Sequence, residues 1–184
     1  MTHPTQMAAA RQGTLTPQMQ QVLAEERISE TDLFERVADG RIAIPANRNH
    51  TSLRARRVGA GLTTQLPVNL GVSEDCCNVE RELDKVRRAI ELKADAIMDL
   101  STFGDTRAFR RRAVAISPVM LGTVPIYDAV ARYGKDVAAI SVDDFFQVVR
   151  MHAEDGIDFM TIHAGLTRVA VERLRATPRL THVV

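Results

Sequence analysis

From residue 66 onward the chain repeats one pattern: a run of four or five mostly apolar residues, then an amphipathic helical stretch. The runs occupy 66–70, 96–100, 119–123, 159–163 and 181–184, each with only one or two polar members. Such continuous apolar runs mark parallel strands covered on both faces, because antiparallel strands with one wet face alternate instead. Between the runs the apolar period becomes helical. Asn78 can cap a helix whose stripe is Val79, Leu83, Val86 and Ile90, with Glu80 and Glu82 in its first turn. Residues 106–115 give a shorter helix with Phe109 and Ala113 on one side. Ser141 can cap a third, carrying Phe145, Val148, Val149 and His152, with Gly156 as its stop. Residues 166–176 give a fourth, bearing Leu166, Val169, Ala170 and Leu174. Strand and helix alternating in this way is a parallel α/β array.

The first sixty residues read differently. Segments 14–27 and 29–40 are helical, the second capped by Ser29 and stopped at Gly40. Residues 42–44 are extended up to Pro45, and the basic stretch 54–61 reads as loop. The expected organisation is therefore a small helical and extended segment at 1–60, followed by the α/β array at 61–184.

Such an array either opens as a doubly wound sheet or closes as a barrel. A dinucleotide fold needs a glycine-rich turn after its first strand. Here that turn is Gly71-Val72-Ser73-Glu74-Asp75, with one glycine and two acids. The expectation is a (β/α)8 barrel type. With 184 residues, and about 250 typical of the closed fold, only four to five of its units are present.

Composition excludes several function classes. There are 24 Lys and Arg against 23 Asp and Glu, which leaves no basic footprint for nucleic acid. No apolar run approaches the roughly 18 residues of a membrane span, and residues 1–13 lack the apolar core of a signal peptide. Cys76 and Cys77 are adjacent and make no disulfide framework, so a cytoplasmic setting is expected. Adjacent cysteines are also no metal motif, and the histidines show neither HxH nor HxxxH spacing.

Polar groups gather where the runs end: Asn69, Met98 with Asp99, Tyr127 and His163. In a barrel all strand C-termini open on one face, so these distant residues would share a mouth. Each has a plainer reading when taken alone. Asn69 can bind a loop, Met98 can fill core, Tyr127 can cap it, Asp99 can cap a loop or pair with an arginine, and His163 can be a satisfied loop histidine.

Seven stretches nevertheless match a known pattern. They are Thr5-Gln6-Met7 with Ala10-Arg11-Gln12-Gly13, Ile44-Pro45-Ala46-Asn47, Asn69-Leu70-Gly71, Ile97-Met98-Asp99-Leu100-Ser101-Thr102, Ser117-Pro118-Val119, Gly122-Thr123-Val124-Pro125-Ile126-Tyr127, and Gly156-Ile157-Asp158-Phe159-Met160-Thr161-Ile162-His163-Ala164-Gly165. In order and across essentially the whole chain, they resemble the phosphomethylpyrimidine synthase (ThiC) family and its paralogue, 5-hydroxybenzimidazole synthase. The resemblance implies a radical S-adenosylmethionine enzyme with a [4Fe–4S] cluster and zinc, acting on aminoimidazole ribotide. It places the substrate-holding Asn, Met, Tyr and His of that family on Asn69, Met98, Tyr127 and His163.

The departures are equally specific. The family's Ser-Arg-Gly-Gly and Asp-Gly-Leu-Arg runs, its zinc-ligand histidines and its Cys-x-x-Cys-x-x-x-x-Cys cluster motif have no counterpart here. The chain thus reads as the front half of such an enzyme, cut within its fifth strand and inactive alone. The start close to Thr5-Gln6-Met7 and the stretch Val68-Asn69-Leu70-Gly71-Val72-Ser73-Glu74-Asp75-Cys76 lean toward the benzimidazole-forming branch. A ribotide-binding module without chemistry and a scaffold remnant are the remaining readings. An unclosed barrel leaves apolar surface and a strand edge bare, so pairing with another copy or with the missing half is expected.

Overall fold

The computed structural model describes residues 5–134 and 136–177; the run expected at 181–184 lies outside them. Three helices open the chain: α1 (Gln6–Arg11), α2 (Pro17–Glu25) and α3 (Glu30–Ala38). Each starts where a hydroxyl can take up a free N–H. Thr5 accepts from Ala8, Thr16 from Met19 and Ser29 from Asp32. The sequence pattern anticipates α2 and α3 but not the short α1. Ala9, Met19, Val22, Leu33 and Val37 from these helices pack with Ile42, Ile44 and Ala55 into one buried cluster. Strand β1 (Ile42–Ala43) pairs antiparallel with β2 (Val58–Gly59). The stretch 54–61, expected as loop, therefore contributes a strand. Its Val58-Gly59 pair is too short to leave a periodic signal.

The main sheet has four parallel strands in the order β3 (Pro67–Leu70), β4 (Ala96–Asp99), β5 (Met120–Thr123) and β6 (Phe159–Met160). Spatial order follows chain order, with helix α4 (Val79–Glu91), α5 (Thr106–Ile116), and then α6 (Pro125–Tyr133) and α7 (Val142–Glu154) in the crossovers. Sequential parallel strands with right-handed crossovers place every helix on the same side. The core agrees with this. Leu83, Val86 and Ala89 of α4 and Phe109, Ala113 and Val114 of α5 bury against Leu70, Ile97 and Leu121, with Val68 and Met160 alongside. Alternate residues of the strands face the opposite side.

Three expectations need correction. Strand β6 covers only Phe159–Met160: the Thr161 N–H still reaches the Thr123 carbonyl at 2.8 Å, and among the described residues the ladder goes no further. Helix α6, which carries Tyr127, has no counterpart in the sequence reading. It begins one residue after β5, with Pro125 in its first turn and no side-chain cap at Val124. Burial on both faces holds for β5, all four of whose residues are buried, but not for β3, where Pro67 and Asn69 are exposed. Among the described residues strand β3 pairs on one side only, with β4, so its side chains are flanked on one side alone.

The N-terminal segment is clamped to the N-terminal end of the sheet. His50 lies 2.7 Å from both the Asp158 carboxylate and the Ser117 carbonyl. Asp158 also accepts from the N–H groups of Asn47 and Leu121. The Asn47 amide donates to the Ala153 and Ile157 carbonyls, satisfying the C-terminal end of α7. Burial works against a charge on His50, but the Asp158 hydrogen bond and charge and the Ser117 carbonyl outweigh it, so its pKa lies above the ordinary histidine value.

Candidate functional site

The opposite end of the sheet, where the strands finish, holds the sequence-predicted residues. Asn69 and Met98 are register partners on β3 and β4, so their side chains leave the same face. The row continues through Gly122 of β5 and Phe159 of β6. It lies on the face that α4 and α5 do not cover. Gly122 makes the crowding possible. A Cβ there would sit 2.3 Å from the Phe159 ring and 2.5 Å from Met98 Sδ. The glycine lets a thioether and an aromatic edge meet over the strand and form an apolar floor beside the Asn69 amide. Asn69 is exposed and Met98 half-buried.

Tyr127 and His163 form the second pair. Their ring centroids are 6.0 Å apart, with planes inclined at 34°. Tyr127 stands in the first turn of α6, directly above β5, and His163 lies three residues past β6 rather than at its end. Tyr127 is half-buried and His163 exposed. The fold thus brings Asn69 beside Met98 and Tyr127 beside His163, with all four at the C-terminal end of one parallel sheet. An amide, a phenol and an imidazole there offer hydrogen bonds in both senses, and Met98 with Phe159 offers a soft apolar surface.

The loop after β3 is held by a charge from below. Glu82 of α4 is fully buried, accepts from the Gly71 N–H at 3.1 Å and pairs with Lys85. Gly71 has φ 151°, and a Cβ on it would meet Ser101 N at 2.6 Å, so only glycine lets the β3 turn lie against the β4 turn. Asp99 points to the helix side of its strand. It accepts from the Ser101 N–H at 2.9 Å and from the Ser101 hydroxyl at 2.5 Å. Burial raises its pKa despite those bonds and the nearby Arg110 and His152 charges. Asp99 is therefore a loop anchor, one of the two plainer roles open to it.

Beneath the end of the sheet lies a polar layer that no sequence motif announces. Thr123 Oγ1 is 2.8 Å from His152 Nδ1, and His152 Nε2 is 2.8 Å from an Asp128 oxygen. Asp128 accepts from Thr106 and, at 3.4 Å, from Arg110, which also donates to Asp155 at 2.9 Å. Burial pushes the Asp128 carboxyl up, but the His152 and Thr106 hydrogen bonds and the Arg110 charge win, leaving its pKa below the ordinary carboxylate value. Gly122 and Phe159 stand inside the matching stretches, but like this layer they are not singled out as site residues by the sequence. A glycine, an apolar residue and separated polar residues carry no local signal, and only the strand register assembles them.

The profile of the "Radical SAM ThiC family" matches residues 5–184. A protein of Pelotomaculum thermopropionicum named phosphomethylpyrimidine synthase is 54% identical over the whole chain. Proteins of the same name from Clostridium tetani and Fusobacterium nucleatum are each 52% identical, over 100% and 99% of the chain. The chain spans about two fifths of these relatives' own lengths, 43%, 40% and 42% in turn. A family profile matched along almost the full length, with half of the residues shared, leaves one assignment: the chain belongs to the radical SAM ThiC family.

Proposed function

We propose that this chain forms the ribotide-holding part of a phosphomethylpyrimidine synthase, which rearranges aminoimidazole ribotide to hydroxymethylpyrimidine phosphate in thiamin biosynthesis. In this reading its sequential sheet is the first half of a (β/α)8 barrel. The observation that carries the proposal is the convergence of Asn69, Met98, Tyr127 and His163 at one end of the sheet. The Asn69 amide would hydrogen-bond the heterocycle's polar edge while Met98 and Phe159 pack against its face. Tyr127 and His163 would hold ribose or phosphate oxygens. The branch forming 5-hydroxybenzimidazole is not favoured, since the relatives at 52–54% identity carry the pyrimidine enzyme's name.

Members of a radical SAM family work with a [4Fe–4S] cluster and S-adenosylmethionine. The cluster supplies the electron that cleaves the cofactor, and holding it takes three thiolates with one iron left open. This chain has two cysteines, adjacent at 76 and 77, and adjacent side chains do not span such a cluster. Among the described residues no group of three or more His, Cys, Asp or Glu side chains could hold a metal ion. These residues do not fit the cluster, and no step of the radical chemistry is assigned to them. The part they play is binding and orientation. The edge of β3, unpaired among the described residues, supports a further element of the reading: the remaining β/α units, from a C-terminal half or a second copy, would complete the mouth.

Calorimetric titration of aminoimidazole ribotide into the chain tests the proposal. Saturable binding is expected, weakened in Asn69→Ala and His163→Ala by about 1–3 kcal/mol each, or roughly 5- to 150-fold, because each leaves a polar group unpaired. No saturable heat at millimolar ribotide removes the proposal.

A further inference from the structure

Thr123, His152 and Asp128 stand in the order hydroxyl, imidazole, carboxylate, with 2.8 Å at each contact to the ring. That sequence of groups suggests a nucleophilic triad, but burial forbids it. The three residues are 2%, 1% and 5% exposed, and Thr123 sits on the helix side of β5, turned away from the Gly122 row. No substrate reaches the hydroxyl, so the chain of contacts must serve another purpose.

What it holds is the start of α6. This helix follows β5 after one residue, and its N-cap, Val124, offers no side-chain hydrogen bond. Its orientation about its own axis is therefore not set by a cap. Asp128 supplies the missing anchor through His152, Thr106 and Arg110. Consecutive helical residues are about 100° apart around the axis. Fixing Asp128 into the polar layer thus fixes the direction of Tyr127, which emerges toward His163. We infer that Thr123, His152 and Asp128 are positioning residues that aim Tyr127 at His163 and so shape the mouth of the site. The inference deepens the ribotide reading, since those two rings are among its proposed contacts.

The chain has no Trp and two Tyr, so in a Tyr133→Phe background Tyr127 is the single fluorophore. A protonated imidazole quenches tyrosine emission at short range, so emission should rise as His163 loses its proton. The part of that rise removed by His163→Gln reports the contact. Asp128→Asn is expected to abolish most of this component at temperatures well below its unfolding transition. A merely structural loss of stability would leave it intact there. Thr123→Val carries the same test if Asp128→Asn does not fold, and Thr123→Ser, which keeps the hydroxyl, should restore the signal. A folded Asp128→Asn or Thr123→Val chain with the full His163-dependent component overturns the inference, whatever ribotide does. Ribotide that fails to bind, while the component follows the hydroxyl, overturns the proposed function and leaves this inference standing.

Discussion

Gly122→Ala puts the packing of the candidate site to a quantitative test. The new Cβ would lie 2.3 and 2.4 Å from two Phe159 ring carbons and 2.5 Å from Met98 Sδ. Comfortable carbon contacts are about 3.5–4.0 Å, so the overlap exceeds about 1 Å on both neighbours. Forcing a methyl into a packed position costs about 1–3 kcal/mol. Overlap this deep on two neighbours belongs in the upper half of that range, and replacing glycine in a strand recovers about 0.5–1 kcal/mol of backbone entropy, which leaves a net loss of about 1–2.5 kcal/mol. For a chain of this size that lowers Tm by about 2–10 °C, readable by circular dichroism. Met98 has the freer side chain and should yield first, so Met98→Ala should relieve part of the cost and the two substitutions should couple in a double-mutant cycle. An unchanged or raised Tm in Gly122→Ala, or strict additivity with Met98→Ala, refutes the packing described for this row.

The clamp at the other end predicts a pH dependence. Because the folded pKa of His50 is raised, its contribution is fully present below the ordinary histidine value of 6.5 and is lost as pH rises through the folded value. Urea titrations across that range should show wild type losing stability relative to His50→Gln as pH rises; a constant difference sinks this. Arg110 is 1% exposed between Asp128 and Asp155, so Arg110→Met should cost about 3–5 kcal/mol by stranding buried carboxylates, measured by chemical unfolding. A loss below about 1 kcal/mol would show the carboxylates to be otherwise satisfied. Finally, the chain alone should self-associate through its bare strand edge and through exposed Leu66, Leu92, Phe146 and Leu166. Sedimentation showing a monomer at all concentrations, with a sharp unfolding transition, would contradict that.

What the sequence could disclose depended on how local the signal was. The strands at 67–70, 96–99 and 120–123 are legible because continuous apolar runs have few other uses, and α4 and α7 because Asn78 and Ser141 cap strong apolar stripes. Helix α6 was not legible. It follows β5 without a turn residue or polar cap, so strand and helix merge into one apolar stretch around Pro125. Asn69, Met98, Tyr127 and His163 could be named from a family pattern, but their pairing as amide with thioether and phenol with imidazole comes from register and from the short β5–α6 junction. Gly122, Phe159 and the Thr123–His152–Asp128 contacts are products of alternation across the sheet. Residues 122 and 123 are neighbours in sequence yet serve opposite faces.

The clamp of Asn47 and His50 onto Asp158 also sets a timetable. Its hydrogen bonds join residues 111 and 108 positions apart, so the first helices can fold among themselves long before their docking partner exists. At synthesis rates of about 5–20 residues per second, the wait is on the order of ten seconds. Throughout it the imidazole of His50 has no carboxylate to meet, and the growing sheet has no seal at its lower rim. Ribosome-bound chains stalled before Asp158 emerges should therefore leave that imidazole open to chemical labelling, and chains stalled after it should not.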